Sequence, residues 1–181
     1  EFCRHNQIPL HLDGARIFNA MVATGQTPKQ YGAWFDSISV CLSKGLGAPV
    51  GSVLLGSAAF IKQARRVRKR LGGGWRQAGF LAAAGIYALD HHVDRLQEDH
   101  ARAKEIAKIC AGLPWVDSIL PVTTNIVIIQ LKDGIRSVDQ VAQLKAQGIF
   151  CAPFGPQYIR FVTHLNFDDA ALAAFKAQLH Q

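Results

Sequence analysis

Two residues that could do covalent chemistry follow apolar segments of the chain. Lys44 comes shortly after residues 38–42, and Asp13 comes directly after residues 8–12. A lysine that is removed from water has a lowered pKa, and its neutral amine can form a Schiff base with an aldehyde. Two simpler interpretations stay open. Lys44 can keep its ammonium in solvent at the end of a strand, and Asp13 can cap the turn that follows it.

Three predicted strands position these residues. The apolar runs at 8–12, 38–42 and 51–56 are short, and β-branched residues and bounding glycines in the last two are typical of buried strands. Helical spacing over residues 17–23 predicts a helix between the first two strands. Because ligands of open α/β sheets bind at the carboxyl ends of the strands, Asp13 and Lys44 are expected at a binding edge.

A basic segment follows the third strand. Ser57 is a predicted helix cap, and residues 65–70 hold five of the chain's 20 Lys and Arg residues before three glycines at 72–74. Aromatic residues are not interleaved with these charges, so we favour the binding of small phosphates over the binding of nucleic acid. A non-catalytic module that binds anions or nucleic acid through Arg65–Arg70 stays open as an alternative function.

The composition is that of a globular protein, with 181 residues, 49% of them hydrophobic and 18% charged, and a formal net charge of +7. The chain has no apolar run of membrane-spanning length and begins without the features of a signal peptide, which predicts a cytoplasmic protein with no membrane contact. Four scattered cysteines without a C-x-x-C pair predict no metal site and no disulfide framework. The polar start at residues 1–7 predicts a truncated chain.

The second half of the chain predicts a second domain. Residues 75–111 have the longest helical pattern, with His91, His92 and His100 on its polar, solvated half. Further on, the pattern predicts strands and helices in the order β-α-β-β-α. The predicted fold class is therefore α/β. A large domain with a mostly parallel sheet and the long connecting helix covers residues 1–111, and a small α+β domain covers residues 112–181.

Five motifs are distributed along most of the chain: HLDGARIFNA at 11–20, LSKGLG at 42–47, GGGWRQ at 72–77, TNIV at 124–127 and RFVTH at 160–164. Together they resemble the low-specificity L-threonine aldolases, pyridoxal-phosphate enzymes with the aspartate aminotransferase fold, also called fold type I. The chain is similar to the C-terminal half of these enzymes. The first sheet strands and the loop that binds the phosphate would lie before Glu1, so this chain alone is expected to be inactive.

The resemblance implies a pyridoxal 5'-phosphate site and gives the residues roles in it. Lys44 would be the catalytic residue that carries the cofactor, Asp13 would pair with the pyridine nitrogen, and Ala15 would pack against the ring. Arg16 and Arg160 would hold the substrate carboxylate. The implied cofactor-binding residues are Lys44, Asp13, Ala15, Arg16 and Arg76, and the implied substrate-binding residues are Arg16, Arg160 and Lys69.

The reaction that the resemblance implies is the retro-aldol cleavage of L-threonine and related β-hydroxy amino acids to glycine and an aldehyde. It belongs to threonine catabolism and glycine biosynthesis. The implied assembly is a homotetramer, a dimer of dimers, in which Lys69 and Arg76 reach a neighbouring subunit's site. Serine hydroxymethyltransferase, a β-eliminating lyase and an aminotransferase are alternatives within the same fold.

Overall fold

A parallel strand pair organises the first half of the chain. In this computed structural model, which describes residues 1–179, that half contains α1 (Phe2–His5), β1 (His11–Gly14), α2 (Ile17–Thr24), α3 (Pro28–Trp34), β2 (Ser37–Cys41), β3 (Ser52–Gly56), α4 (Ala58–Arg70) and α5 (Gly79–His91). The strand order is β1-β2-β3, with β1 and β2 parallel and β3 antiparallel to β2. The described strands of this sheet thus make one parallel and one antiparallel pair.

The crossover between β1 and β2 consists of two short helices with clear sequence boundaries. Gly25 ends α2 in the left-handed conformation, with φ of 72°. Thr27 and Gln30 then form a reciprocal capping box at the start of α3, where Pro28 occupies the first turn. Parallel strands need such a crossover, and these caps set its length.

The second half of the chain packs helices against an antiparallel sheet. Its elements are α6 (Leu96–Cys110), β4 (Val116–Ile119), β5 (Ile126–Leu131), α7 (Ser137–Ala146), β6 (Ala152–Pro153), β7 (Tyr158–Val162) and α8 (Asp169–Leu179). The strand order is β4-β5-β7-β6, with every pair antiparallel. Its core includes the fully buried Val127, Ile129 and Ile159. The short strand β4 was not among the predicted strands.

The predicted long helix over residues 75–111 is wrong in one respect, because it is two helices. His92 ends α5 as its C-cap, with its backbone N–H donating to the Ala88 carbonyl, and α6 begins four residues later at Leu96. The histidines are not all solvated either. His91 is exposed, but His92 is half-buried and His100 is buried, and burial lowers the pKa of His100.

The chain divides by its contacts into two compact units between Asp94 and Arg95. This division lies at the N-terminal end of α6, so that helix packs with the second unit. The predicted domain boundary between residues 111 and 112 lies at the other end of the same helix and stays a prediction.

Candidate active site

The register of the parallel strands brings Asp13 to the same sheet edge as the segment before Lys44. Asp13 pairs with Ser39, and Gly14 pairs with Val40. Val40 lies four residues before Lys44. Parallel strands end on the same side of a sheet, so the chain leaves β1 and β2 at one edge. Both Asp13 and Lys44 are exposed there.

Gly14 allows β1 and β2 to approach at this edge. A Cβ atom at Gly14 would lie 2.6 Å from the Ser39 carbonyl oxygen and 3.1 Å from Cγ2 of Ile38. No side chain fits at the first of these distances, because the atom that it meets is backbone. Close packing between the two strands therefore requires a glycine at position 14.

The Asp13 carboxylate also organises the turn that follows it. Its Oδ1 accepts a hydrogen bond from the Ala15 backbone N–H at 3.1 Å. The N-cap of α2 is Arg16 and not Asp13. Asp13 thus caps the local turn and does not cap helix α2. Its exposed carboxylate remains accessible to a ligand.

Lys44 begins a tight turn after β2. The Gly47 N–H donates to the Lys44 carbonyl at 2.9 Å, and Gly47 has φ of 69°, which favours glycine. Leu46 anchors this turn with 2% of its surface exposed. Of the two interpretations of Lys44 that the sequence left open, this structure agrees with the solvent-exposed lysine, because the turn buries Leu46 and leaves the Lys44 side chain in solvent.

Helix α5 contacts the Lys44 turn at two places. A Cβ atom at Gly85 would lie 3.0 Å from Cδ1 of Leu42, so the glycine lets Leu42 pack closely against the helix. Nδ1 of His92 lies 2.6 Å from the Leu46 carbonyl oxygen. The two contacts lie on opposite sides of Lys44 in sequence.

Cys41, at the end of β2, lies close enough to Lys44 to interact with its charge. Burial raises the pKa of the Cys41 thiol, but hydrogen bonds with Ser43 and Ser52 and the Lys44 charge together lower it below its usual value. The Sγ atom lies 3.5 Å from Oγ of Ser43. The end of β2 thus stabilises negative charge.

Two exposed basic residues flank the glycine segment at 72–74. Lys69 lies in the last turn of α4, and Arg76 follows the glycines. A Cβ atom at Gly74 would lie 2.2 Å from Cδ and 2.9 Å from Nζ of Lys69, so the lysine side chain folds over this segment. Arg16 and Ala15 are half-buried between β1 and α2.

Arg160 lies in the second unit, on β7 between Ile128 of β5 and Ala152 of β6. Its guanidinium carbon lies 5.5 Å from the centre of the Phe154 ring, a cation–π contact. The Nε atom is buried and has no hydrogen-bond partner. Such an unpaired buried donor is costly, and the guanidinium as a whole offers donors that suit an anion.

A buried ion pair supports the end of β7. The Asp99 side chain is fully buried, and Arg95 contacts it with two hydrogen bonds of 2.6 and 3.2 Å. Thr163 donates to the Asp99 carbonyl at 2.6 Å, and the Asn125 side chain donates to the Thr163 carbonyl at 2.8 Å. This network links α6 to two strands.

Among residues 1–179, no group of three or more His, Cys, Asp or Glu side chains could hold a metal ion. No helix in the same range combines the length and the apolar character that crossing a membrane requires.

A family profile matches residues 1–134, nearly three quarters of the chain, and its family is the beta-eliminating lyases. The chain belongs to the beta-eliminating lyase family. The match includes Asp13, Lys44 and the whole of the glycine segment, and it ends before Arg160.

Proteins with similar sequences are named as threonine aldolases. The low-specificity L-threonine aldolase of Candida albicans is 46% identical over 80% of this chain and 38% of its own length. The low specificity L-threonine aldolase of Escherichia coli (strain K12) is 42% identical over 98% of this chain and 52% of its own length. The chain thus spans about half the length of the relatives that it matches.

A solved structure from Exiguobacterium sp. 255-15, provisionally named an aromatic amino acid beta-eliminating lyase/threonine aldolase, has a TM-score of 0.78. It is 26% identical, and the match covers 99% of this chain and 54% of that protein. These findings confirm the resemblance and the α/β fold class that the sequence predicts.

Two features of this family member were missed by the sequence analysis. The contact of His92 with Leu46 joins residues 46 positions apart, and no local pattern indicates it. Arg95 and Asp99, by contrast, stand at i and i+4 on one helix, a spacing that favours an ion pair and could have been recognised.

Proposed function

We propose that this chain provides the lysine and the carboxylate of a pyridoxal 5'-phosphate-dependent lyase that cleaves L-threonine and related β-hydroxy amino acids to glycine and an aldehyde. The single observation that carries the proposal is the parallel pairing of β1 and β2, whose ends lead to Asp13 and Lys44 at one sheet edge. The relatives at 42% and 46% identity support the choice of reaction.

The residues at this edge fit the cofactor. Pyridoxal 5'-phosphate supplies an aldehyde that amines attack and a ring that accepts the electrons of a broken bond. The exposed Lys44 amine is accessible to that aldehyde. Asp13 uses Oδ1 for the Ala15 N–H, and we assign its Oδ2 to the protonated ring nitrogen. Ala15, half-buried, would contact the ring without crowding it.

Arginines are proposed to orient the substrate. Arg160 has a buried Nε without a partner, and a guanidinium can hold a carboxylate by two parallel hydrogen bonds. Arg16 is proposed to share this carboxylate. Holding the carboxylate limits rotation about Cα, so the bond to Cβ can stand perpendicular to the cofactor ring, as cleavage requires. Lys44 is also proposed to move the proton at Cα, because its exposed amine can act as a general base.

Lys69 and Arg76 are proposed to act at a neighbouring copy's site, on the phosphate or the substrate side chain. Exposure supports this role, because both side chains are exposed and α4 buries none of its residues. We accordingly propose a homo-oligomer, a dimer of dimers. We also propose that the protein is located in the cytoplasm and does not bind nucleic acid.

The test uses a chimera in which this chain replaces the matching half of the Escherichia coli relative. With cofactor added, the chimera should release glycine from L-threonine. Lys44→Ala should lower this rate by about a thousandfold or more, because the amine is both nucleophile and proton carrier. Lys29→Ala, a change of an exposed lysine on α3, is the matched control and should leave the rate unchanged.

The products decide between this reaction and the second candidate, β-elimination, which the family match favours. Release of a keto acid and ammonia in place of glycine and an aldehyde would select the elimination. Full activity in the Lys44→Ala chimera would rule out both. Retention of an oligonucleotide by the unmodified chain that falls with salt, without any cofactor binding, would favour the anion-binding alternative at Arg65–Arg70.

A further inference from the structure

His92 holds the turn that carries Lys44 through a single hydrogen bond. Its Nδ1 atom lies 2.6 Å from the Leu46 carbonyl oxygen. A carbonyl oxygen has no proton to give, so Nδ1 is the donor and carries the proton. The ring also lies edge-on to Tyr87 at 5.5 Å between centroids, which restricts its rotation.

The acceptor is one end of a peptide group whose other end closes the turn. The Leu46 carbonyl and the Gly47 N–H belong to the same planar unit. That N–H donates to the Lys44 carbonyl at 2.9 Å. The Leu46–Gly47 peptide is therefore held from both sides, and it cannot rotate without breaking both bonds.

Helix α5 also contacts the segment before Lys44. Leu42 packs against Gly85, where an added Cβ would lie 3.0 Å from Cδ1. The Leu42 carbonyl in turn accepts a hydrogen bond from the Ala48 N–H at 3.0 Å. The helix thus limits the backbone on both sides of the lysine.

We propose that His92 is a positioning residue for Lys44. Its hydrogen bond fixes the Leu46–Gly47 peptide, which sets the direction in which the lysine leaves the end of β2. The role of Lys44 as the cofactor-binding lysine comes from the proposed function, and on that assignment this inference rests.

The test compares His92→Ala with the unsubstituted chimera by two measurements that do not need threonine. Amide exchange at Gly47 should become about tenfold faster, because the opposing hydrogen bond is lost. Borohydride trapping of added pyridoxal 5'-phosphate should show the labelling ratio of Lys44 to Lys29 fall at least about threefold, because an unheld turn lets the amine sample other directions.

Three further variants make the result decisive. His92→Asn, whose amide nitrogen lies near the position of Nδ1, should restore both values. His91→Ala, at the exposed neighbour, should leave both unchanged. Gly85→Ala displaces Leu42 and should change both in the same direction as His92→Ala, but less. If His92→Ala does not fold, His92→Gln takes its place and should change both values, because its amide nitrogen lies beyond the position of Nδ1 and cannot replace that donor.

An unchanged labelling ratio would overturn the positioning role, whether or not Gly47 exchange became faster, because a purely structural bond changes stability alone. Failure of rescue by His92→Asn would overturn it as well. Absence of threonine cleavage in the chimera, combined with the expected labelling ratios, would reject the proposed function and leave the positioning of Lys44 in place.

Discussion

Replacement of Arg160 by lysine should weaken substrate binding without lowering protein stability. The buried Nε of Arg160 has no partner, and an unpaired buried donor costs about 1–3 kcal/mol. Lysine has no Nε–H at that depth, so Arg160→Lys removes this cost. The contact with Phe154, worth roughly 0.5–1 kcal/mol, can be made by either cation. The free energy of unfolding should therefore not fall.

Binding should weaken because an ammonium is a point charge and cannot form the two parallel bonds of a guanidinium. We expect the KM for threonine in the chimera to rise by about tenfold, which corresponds to roughly 1.4 kcal/mol, with little change in kcat. Urea unfolding of the chain measures the first quantity, and glycine release at varied threonine measures the second.

Arg136→Lys is the matched control, since Arg136 is exposed and pairs with Asp139 at 2.7 Å. It should leave both quantities unchanged. A stability loss at Arg160→Lys of more than about 2 kcal/mol, with an unchanged KM, would refute the reasoning, because losses of that size mark a structural residue.

Three further predictions concern other residues. Asp13→Asn keeps an acceptor for the Ala15 N–H, so the stability of the chain in urea should be retained. The cofactor affinity of the chimera should fall, because the negative charge is lost. A loss of stability without a loss of cofactor affinity would show that Asp13 only supports the turn. Arg95→Ala leaves the Asp99 carboxylate buried and unpaired, and it should lower the free energy of unfolding by about 3–5 kcal/mol, whereas an unchanged urea midpoint would contradict this. Burial raises the pKa of Cys110 to about 12, whereas the pKa of Cys41 is lowered. Iodoacetamide at pH 8 should therefore modify Cys41 faster than Cys110, as followed by mass spectrometry, and equal rates for these two cysteines in the folded chain would contradict the assignment.

The parts of the fold that the sequence predicts are those with local causes. The apolar run with β-branched residues at 38–42 predicts a strand, and β2 spans Ser37–Cys41. Gly25 and Ser57 mark helix boundaries where the structure has them. Asp13 and Lys44 could be placed at strand ends because a strand end is visible in the hydrophobic pattern.

The parts that the sequence does not predict depend on contacts between distant residues. In the turn after β2, Leu46 is buried and Lys44 is exposed. The amino-acid sequence of the turn does not indicate which of these two side chains faces the core. At the break before α6, Nδ1 of His92 lies 2.6 Å from the carbonyl oxygen of Leu46, a residue 46 positions earlier. Hydrophobic periodicity continues through such a break and does not reveal it.

The exposed edge strand β3 has a consequence for how this chain behaves in solution. All five of its residues are exposed, including Val53, Leu54 and Leu55, and among the described strands only β2 pairs with it. Its sequence, SVLLG, contains none of the charged residues or prolines that act as gatekeepers against edge-to-edge association. This strand should therefore promote association of the isolated chain that increases with concentration, and the substitution Val53→Lys should reduce it.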